Sequence, residues 1–154
     1  MATFTKINAF VEALAHKKHD LSADTLKVML TNTAPNPATA AVKTDITEIA
    51  AGNGYVAGGF TATRISSSQT GGSYTLKLND LPAAFTATGS VGPYRYAVLY
   101  NDTVALKNLI GFWDFGGAIT QLSGQAFSFD LTDAAGTVIT LSKGPAMLAF
   151  TLVN

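Results

Sequence analysis

Residues 92–117, GPYRYAVLYNDTVALKNLIGFWDFGG, set two apolar runs on either side of a polar connection. Side chains alternate across a strand, so Tyr94, Tyr96, Val98 and Tyr100 should share one face of the first run and Ala97 and Leu99 the other. The second run, with Leu109, Ile110, Phe112, Trp113 and Phe115, is also apolar on both faces. Such a pair belongs at the centre of a layered core rather than in a sheet with one face in water. Asn101 and Asp102 supply turn chemistry between the runs.

Upstream, Phe4, Ile7, Phe10, Val11 and Leu14 recur at spacings of three and four, which predicts an amphipathic helix over residues 4–19. Thr3 or Thr5 would cap it, and His16, Lys17, Lys18 and His19 would place positive charge where the helix dipole is negative. Residues 25–31 alternate with Leu26, Val28 and Leu30 inward, a strand. From 32 to 43 (NTAPNPATAAVK) the periodicity stops, and Pro35 and Pro37 prevent ladder pairing, so an exposed arm or loop is expected. Deleting residues 35–40 should then spare the fold. Asp45 and Glu48 have capping-box spacing, which predicts one or two helical turns before Gly52.

Residues 52–59 (GNGYVAGG) read as a glycine-rich crossing, and 60–66 with 74–79 as a hairpin turning at Gly71 and Gly72. A short strand is expected over 84–88. Residues 125–131 alternate Phe127, Phe129 and Leu131 on one face, with 137–141 returning as the partner strand. The apolar run 147–153 is either a last core strand or an arm docked on a neighbouring subunit, the arm being favoured. The total is about eight or nine short strands at regular spacing after one N-terminal helix, the punctuation of a single antiparallel β-sandwich or barrel domain covering residues 1–154.

Composition changes this picture in one respect. Only 13% of the 154 residues are charged, about half the usual share, with ten basic residues balancing ten acidic ones. After Leu131 the only charges are Asp133 and Lys143. A surface this neutral favours association and offers no phosphate-neutralising patch, so a protein partner is expected and nucleic acid is not. No run is apolar enough to span a bilayer and no secretion signal is seen, so a protein made in a cytoplasm, with no membrane partner, is expected. The absence of cysteine excludes disulfides and thiolate metal sites.

Catalytic chemistry finds little purchase. His16 and His19 are the only histidines, three apart on one expected helix, and flanking lysines make charge at the helix end a better account than a metal pair. Gly52, Gly54 and Ala57 fit a dinucleotide-loop pattern without the strand before and helix after that it requires. Asp114, set among Phe112, Trp113 and Phe115, suits a buried partner for Arg95 better than a catalyst. Tyr55 or Tyr74 could serve a carbohydrate surface if exposed. No enzyme and no cofactor is expected.

Three segments in order, TLKVMLTNTAPNPAT, DITEIAAGNGYVAGG and GPYRYAVLYND followed by LIGFWDFGG, resemble the small capsid decoration, or cement, proteins of tailed bacteriophages, the similarity running over about residues 4–142. The resemblance implies a β-sandwich of jelly-roll type that sits on the capsid exterior of the virion as a homo-oligomer, bridging major capsid protein subunits, without catalytic residues. Asn32, Thr33, Ala34, Pro35, Asn36, Pro37 and Ala38 of the proline-containing segment, and Met147, Phe150 and Leu152 of the terminal run, are the expected partner interface. A carbohydrate-binding or adhesive β-sandwich module and a tail structural subunit are the alternatives.

Overall fold

The two apolar runs form a long antiparallel hairpin, β7 (Val91–Asn101) with β8 (Leu109–Gln121). The computed structural model describes residues 3–131, 139–143 and 150–153. Ahead of the hairpin come β1 (Thr3–Lys6), α1 (Ala9–Ala15), β2 (Leu26–Thr31), a 3-10 turn (Lys43–Asp45), β3 (Phe60–Ala62), β4 (Arg64–Thr70), β5 (Ser73–Leu78) and β6 (Leu81–Thr86). After it come β9 (Ala126–Phe129), β10 (Ile139–Lys143) and β11 (Phe150–Val153). The strands form a five-stranded sheet ordered β1-β8-β7-β2-β3, a four-stranded sheet β11-β10-β5-β4 and a two-stranded sheet β6-β9, with every pairing antiparallel. The protein is therefore mainly β, as the pattern predicts.

The main core is shared by all three sheets. Val28, Leu30, Ala97, Leu99, Ile110 and Trp113 of the large sheet meet Leu76, Leu78, Phe85, Phe127, Phe129 and Ile139. Its aromatic centre is continuous: Phe60 stacks on Phe85 at 5.4 Å, Phe85 on Phe127 at 5.5 Å, and Trp113 meets Phe129 edge-on at 5.2 Å. A second cluster, with Ile7, Met29, Ala40, Tyr96, Val98, Tyr100, Leu109 and Phe112, covers the other face of the large sheet. Both faces of β7–β8 are thus buried where β2 flanks it, as expected of central strands.

Two irregularities decide which side chain goes to which face. Leu99 pairs with Gly111 and Tyr100 with Leu109, so Ile110 is an extra residue, and the alternation of β8 shifts by one there. Leu109 and Phe112 then share the second cluster while Ile110 and Trp113 share the first. Further along, Tyr94 pairs with Ile119 and Tyr96 with Asp114, a step of two residues on β7 against five on β8, with Gly116 at φ +83°. Tyr94 consequently packs with Ala97 and Leu99 in the main core, not with Tyr96, Val98 and Tyr100 as strict alternation predicts.

The N-terminus departs most from expectation. Residues 3–6 are not helical but pair with Asp114 back to Gly111, placing Phe4 against Trp113 at 4.7 Å. The helix is only Ala9–Ala15, starts at Asn8 without a side-chain cap, and closes when Lys17 turns left-handed (φ +57°). Lys17 N–H then bonds the Leu14 carbonyl and Lys18 N–H the Ala13 carbonyl, a Schellman closure made without glycine. His16 stays exposed, while His19 is drawn inside.

Other pairings also correct the sequence reading. Asp45 ends a 3-10 turn instead of starting a helix, because its carboxylate accepts from the N–H groups of Ala41 and Val42 behind it. The hairpin at Gly71 and Gly72 is tighter than expected, with β4 running to Thr70, and residues 60–62 pair with β2 in another sheet. β9 pairs with β6, not with the strand that follows it, and β10 pairs with β5 and β11. The intervening turn lies outside the described residues. β11 is an edge strand on β10 of its own chain, so the terminal run is the strand alternative and not the favoured arm.

Candidate partner-binding surface

The proline-containing segment leaves β2 at Thr31 and is folded back over the second cluster. Thr31 starts the turn, its hydroxyl accepting from Thr33 N–H at 3.1 Å and donating to the Thr47 carbonyl at 2.6 Å. At the tip, the Asn36 side chain accepts from Ala38 N–H at 3.0 Å, and the Asn36 carbonyl accepts from Ala40 N–H at 2.9 Å. The segment is anchored by Asn8 N–H to the Pro37 carbonyl and Leu109 N–H to the Ala41 carbonyl, each at 2.9 Å. Pro35 and Ala40 are buried, whereas Asn32, Thr33, Ala34, Asn36 and Ala38 are exposed and Pro37 is half-buried. It is therefore the loop alternative, a surface fixed in shape rather than a free arm. Removing residues 35–40 would take Ala40 out of the core, contrary to the expectation that the deletion spares the fold.

Of the other expected interface residues, Phe150 and Leu152 lie on β11, paired with Lys143 and Leu141 of β10. Met147 lies outside the described residues. No pairing links β11 with residues 32–38, so the two expected contact regions belong to separate elements.

A polar network that the sequence did not announce ties the 3-10 turn and the glycine-rich crossing to the large sheet. Glu48 Oε1 accepts from the Tyr55 hydroxyl at 2.7 Å and from Gly58 N–H at 2.6 Å, while its Oε2 faces Lys43 Nζ at 3.2 Å. The Tyr55 hydroxyl accepts in turn from Leu30 N–H at 3.0 Å, and Tyr100 donates to the Gly58 carbonyl at 2.7 Å. Burial pushes both phenols well above their usual range, so they act as neutral donors. Tyr55 is 2% exposed, which removes it as a carbohydrate platform. Gly52 and Gly54 are loop glycines at φ +136° and +98°, and the crossing runs into β3 with no helix following.

A separate groove of about 550 Å³ lies between the exit of α1 and the four-stranded sheet, lined by Lys17, His19, Asp20, Ser22, Ser67, Tyr74 and others. Tyr74 is half-buried, with its hydroxyl 2.8 Å from Ser67 Oγ. His19 packs on Phe10 at 5.0 Å and receives the Asn101 amide on Nδ1 at 3.3 Å, which leaves the proton on Nε2. Burial depresses its pKa from 6.5 to about 4, against the attraction of Asp24, so it is neutral at pH 7. His16 instead faces Glu12, and among the described residues no three acids or histidines converge on a metal position. Among the described residues, no helix is long and apolar enough to cross a membrane.

Arg95 and Asp114 do form the expected pair, bidentate at 2.8 and 2.9 Å, but at a half-exposed position on the sheet surface. Gly116 N–H adds a third bond to the carboxylate, and Arg95 with this N–H holds Asp114 below its usual range. No protein-family model matches the chain, and no curated protein or solved structure is significantly similar to it.

Proposed function

We propose that the protein is a structural virion component that binds the outside of a phage capsid and stabilises the lattice by bridging major capsid subunits. The observation that supports this reading most is the loop carrying Asn32, Thr33, Ala34, Asn36 and Ala38, which is exposed, uncharged and already held in one shape by backbone bonds. A preorganised surface loses little conformational entropy on docking, so modest contacts suffice. Repetition over a lattice multiplies them, and binding the assembled shell in preference to its free subunits adds to shell stability. A jelly-roll topology, a homo-oligomeric state and a capsid-exterior location belong to the same proposal.

The test is binding of the purified chain to undecorated capsids, read by cosedimentation and electron microscopy. Thr33→Glu with Ala38→Glu, both at exposed positions, should lower occupancy while leaving the melting temperature unchanged. Unchanged occupancy would overturn the role of the loop, and no binding by the unmodified chain would overturn the function. One observation favours a carbohydrate-binding module instead, the groove in which Tyr74, Ser22, Ser67 and Asp20 present ring, hydroxyl and carboxylate together. Glycan-array binding abolished by Tyr74→Ala, without capsid binding, would establish that reading in its place.

A further inference from the structure

The far end of β8 is an open sheet edge. β1 pairs with β8 only from Gly111 to Asp114, yet β8 continues to Gln121. Among the described residues, that continuation has backbone partners on β7 alone. Gly116, Gly117, Ala118, Ile119 and Thr120 are all exposed, and Leu122 beyond them is 59% exposed. Open edges are ordinarily guarded by lysine, proline or another charge. Here residues 115–129 include no charged side chain and no proline.

We infer that residues 117–121 are a self-association site, to which β8 of a second copy of this chain adds antiparallel so that two large sheets become one. Charge selects this occupant. A two-fold axis sets each residue of the edge against the same stretch of its twin, so any charge near the axis would face its like. An uncharged edge meets its own copy without that repulsion, and the chain's zero net charge adds none at long range. With the axis on Ile119, isoleucine faces isoleucine, Ala118 faces Thr120 and Gly117 faces Gln121. Gly116, left-handed at φ +83°, bounds the paired stretch on one side. Backbone bonds supply the attraction, and the apolar pair on the axis sets the register. None of the residues of the 32–38 loop is used.

Analytical ultracentrifugation of the isolated chain at micromolar concentration should give at least a dimer mass. Ile119→Lys, which sets two ammonium groups across the axis, should sediment as a monomer with unchanged circular dichroism, and Ile119→Glu should do the same. An equimolar mixture of the two should recover the dimer mass, because the axis then faces lysine with glutamate. Thr120→Lys, also at an exposed position, reads the same edge should Ile119→Lys fail to fold. A monomeric unmodified chain, a lysine variant that stays dimeric, or a mixture that fails to reassociate would each overturn the proposal. The measurement involves no capsid: a monomer would remove the homo-oligomeric part of the proposed function, while binding to capsids is read separately.

Discussion

The near half of the β7–β8 hairpin, Tyr96 to Asn101 against Leu109 to Trp113, is buried throughout, while the far half exposes Gly92, Pro93 and everything from Gly116 to Thr120. Residue type does not make this difference, since Ala97 and Ile110 are enclosed and Ala118 and Ile119 are exposed. Neighbours make it. β2 accompanies β7 only as far as Tyr96, and β1 accompanies β8 only as far as Asp114. Beyond those points the strands keep one covered side, where Val91, Tyr94 and Phe115 meet the main core. A strand's pattern thus specifies a strand, and its flanking partners specify whether it is core or surface.

The largest test of that division is Trp113→Ala. Trp113 is 4% exposed and wedged between Phe4 and Phe129, so truncation should cost about 3–5 kcal/mol in denaturant unfolding. A loss near zero would mean that the near half is not the core. Acid should weaken the same end, because burial holds His19, which contacts Asn101 at the close of β7, in its neutral form. The folded pKa of about 4 lies below the ordinary 6.5, so between those values the unfolded chain binds a proton that the folded chain refuses. Stability therefore falls as pH drops from 6.5 to 4, by up to about 3 kcal/mol. His19→Gln should flatten the melting temperature in this window, and an unchanged slope would refute the assignment. Next in size is Gly111→Ala. The added methyl would run into the Phe4 ring and lie 2.8 Å from the Thr5 carbonyl, which predicts a loss of about 1–3 kcal/mol through overpacking.

The same division explains what could be read from sequence. The hairpin, buried Trp113, the inward Phe127, Phe129 and Leu131, and the Gly71–Gly72 turn are local patterns, and local patterns are legible. Phe4, Ile7 and Phe10 have helical spacing, yet a strand ending at Lys6 and a helix starting at Ala9 satisfy it equally, and pairing with β8 decides between them. Tyr94 changes cluster at a backbone irregularity that no alternation rule contains. The choice of β6 as partner for β9, and the meeting of Glu48 with Tyr55 and Gly58, depend on where separate segments cross. Of the expected interface, the exposure of Asn32, Thr33, Ala34, Asn36 and Ala38 was legible in the prolines and the lost periodicity. That Ala40 turns inward was not, because it joins a cluster with Met29, Tyr96 and Phe112, which distant strands supply.

The smallest predicted effects lie at and beyond the boundary between the halves. Arg95 and Asp114 bridge β7 and β8 there in a half-exposed position, where solvent screens the attraction. Arg95→Ala should therefore cost less than Gly111→Ala, and the loss should shrink further in high salt; a salt-independent loss would make the pair part of the core instead. Gly117→Ala then asks the hairpin question with a single methyl. It lies on the same strand as Gly111, but its added Cβ meets nothing within 4 Å and its backbone is not left-handed. With no clash to oppose it, the alanine restricts the unfolded chain, so stability should stay within about 0.5 kcal/mol of wild type or rise slightly. Equal losses at Gly111 and Gly117 would show that the far half is packed as tightly as the near half, and the open edge of β8 would then not exist.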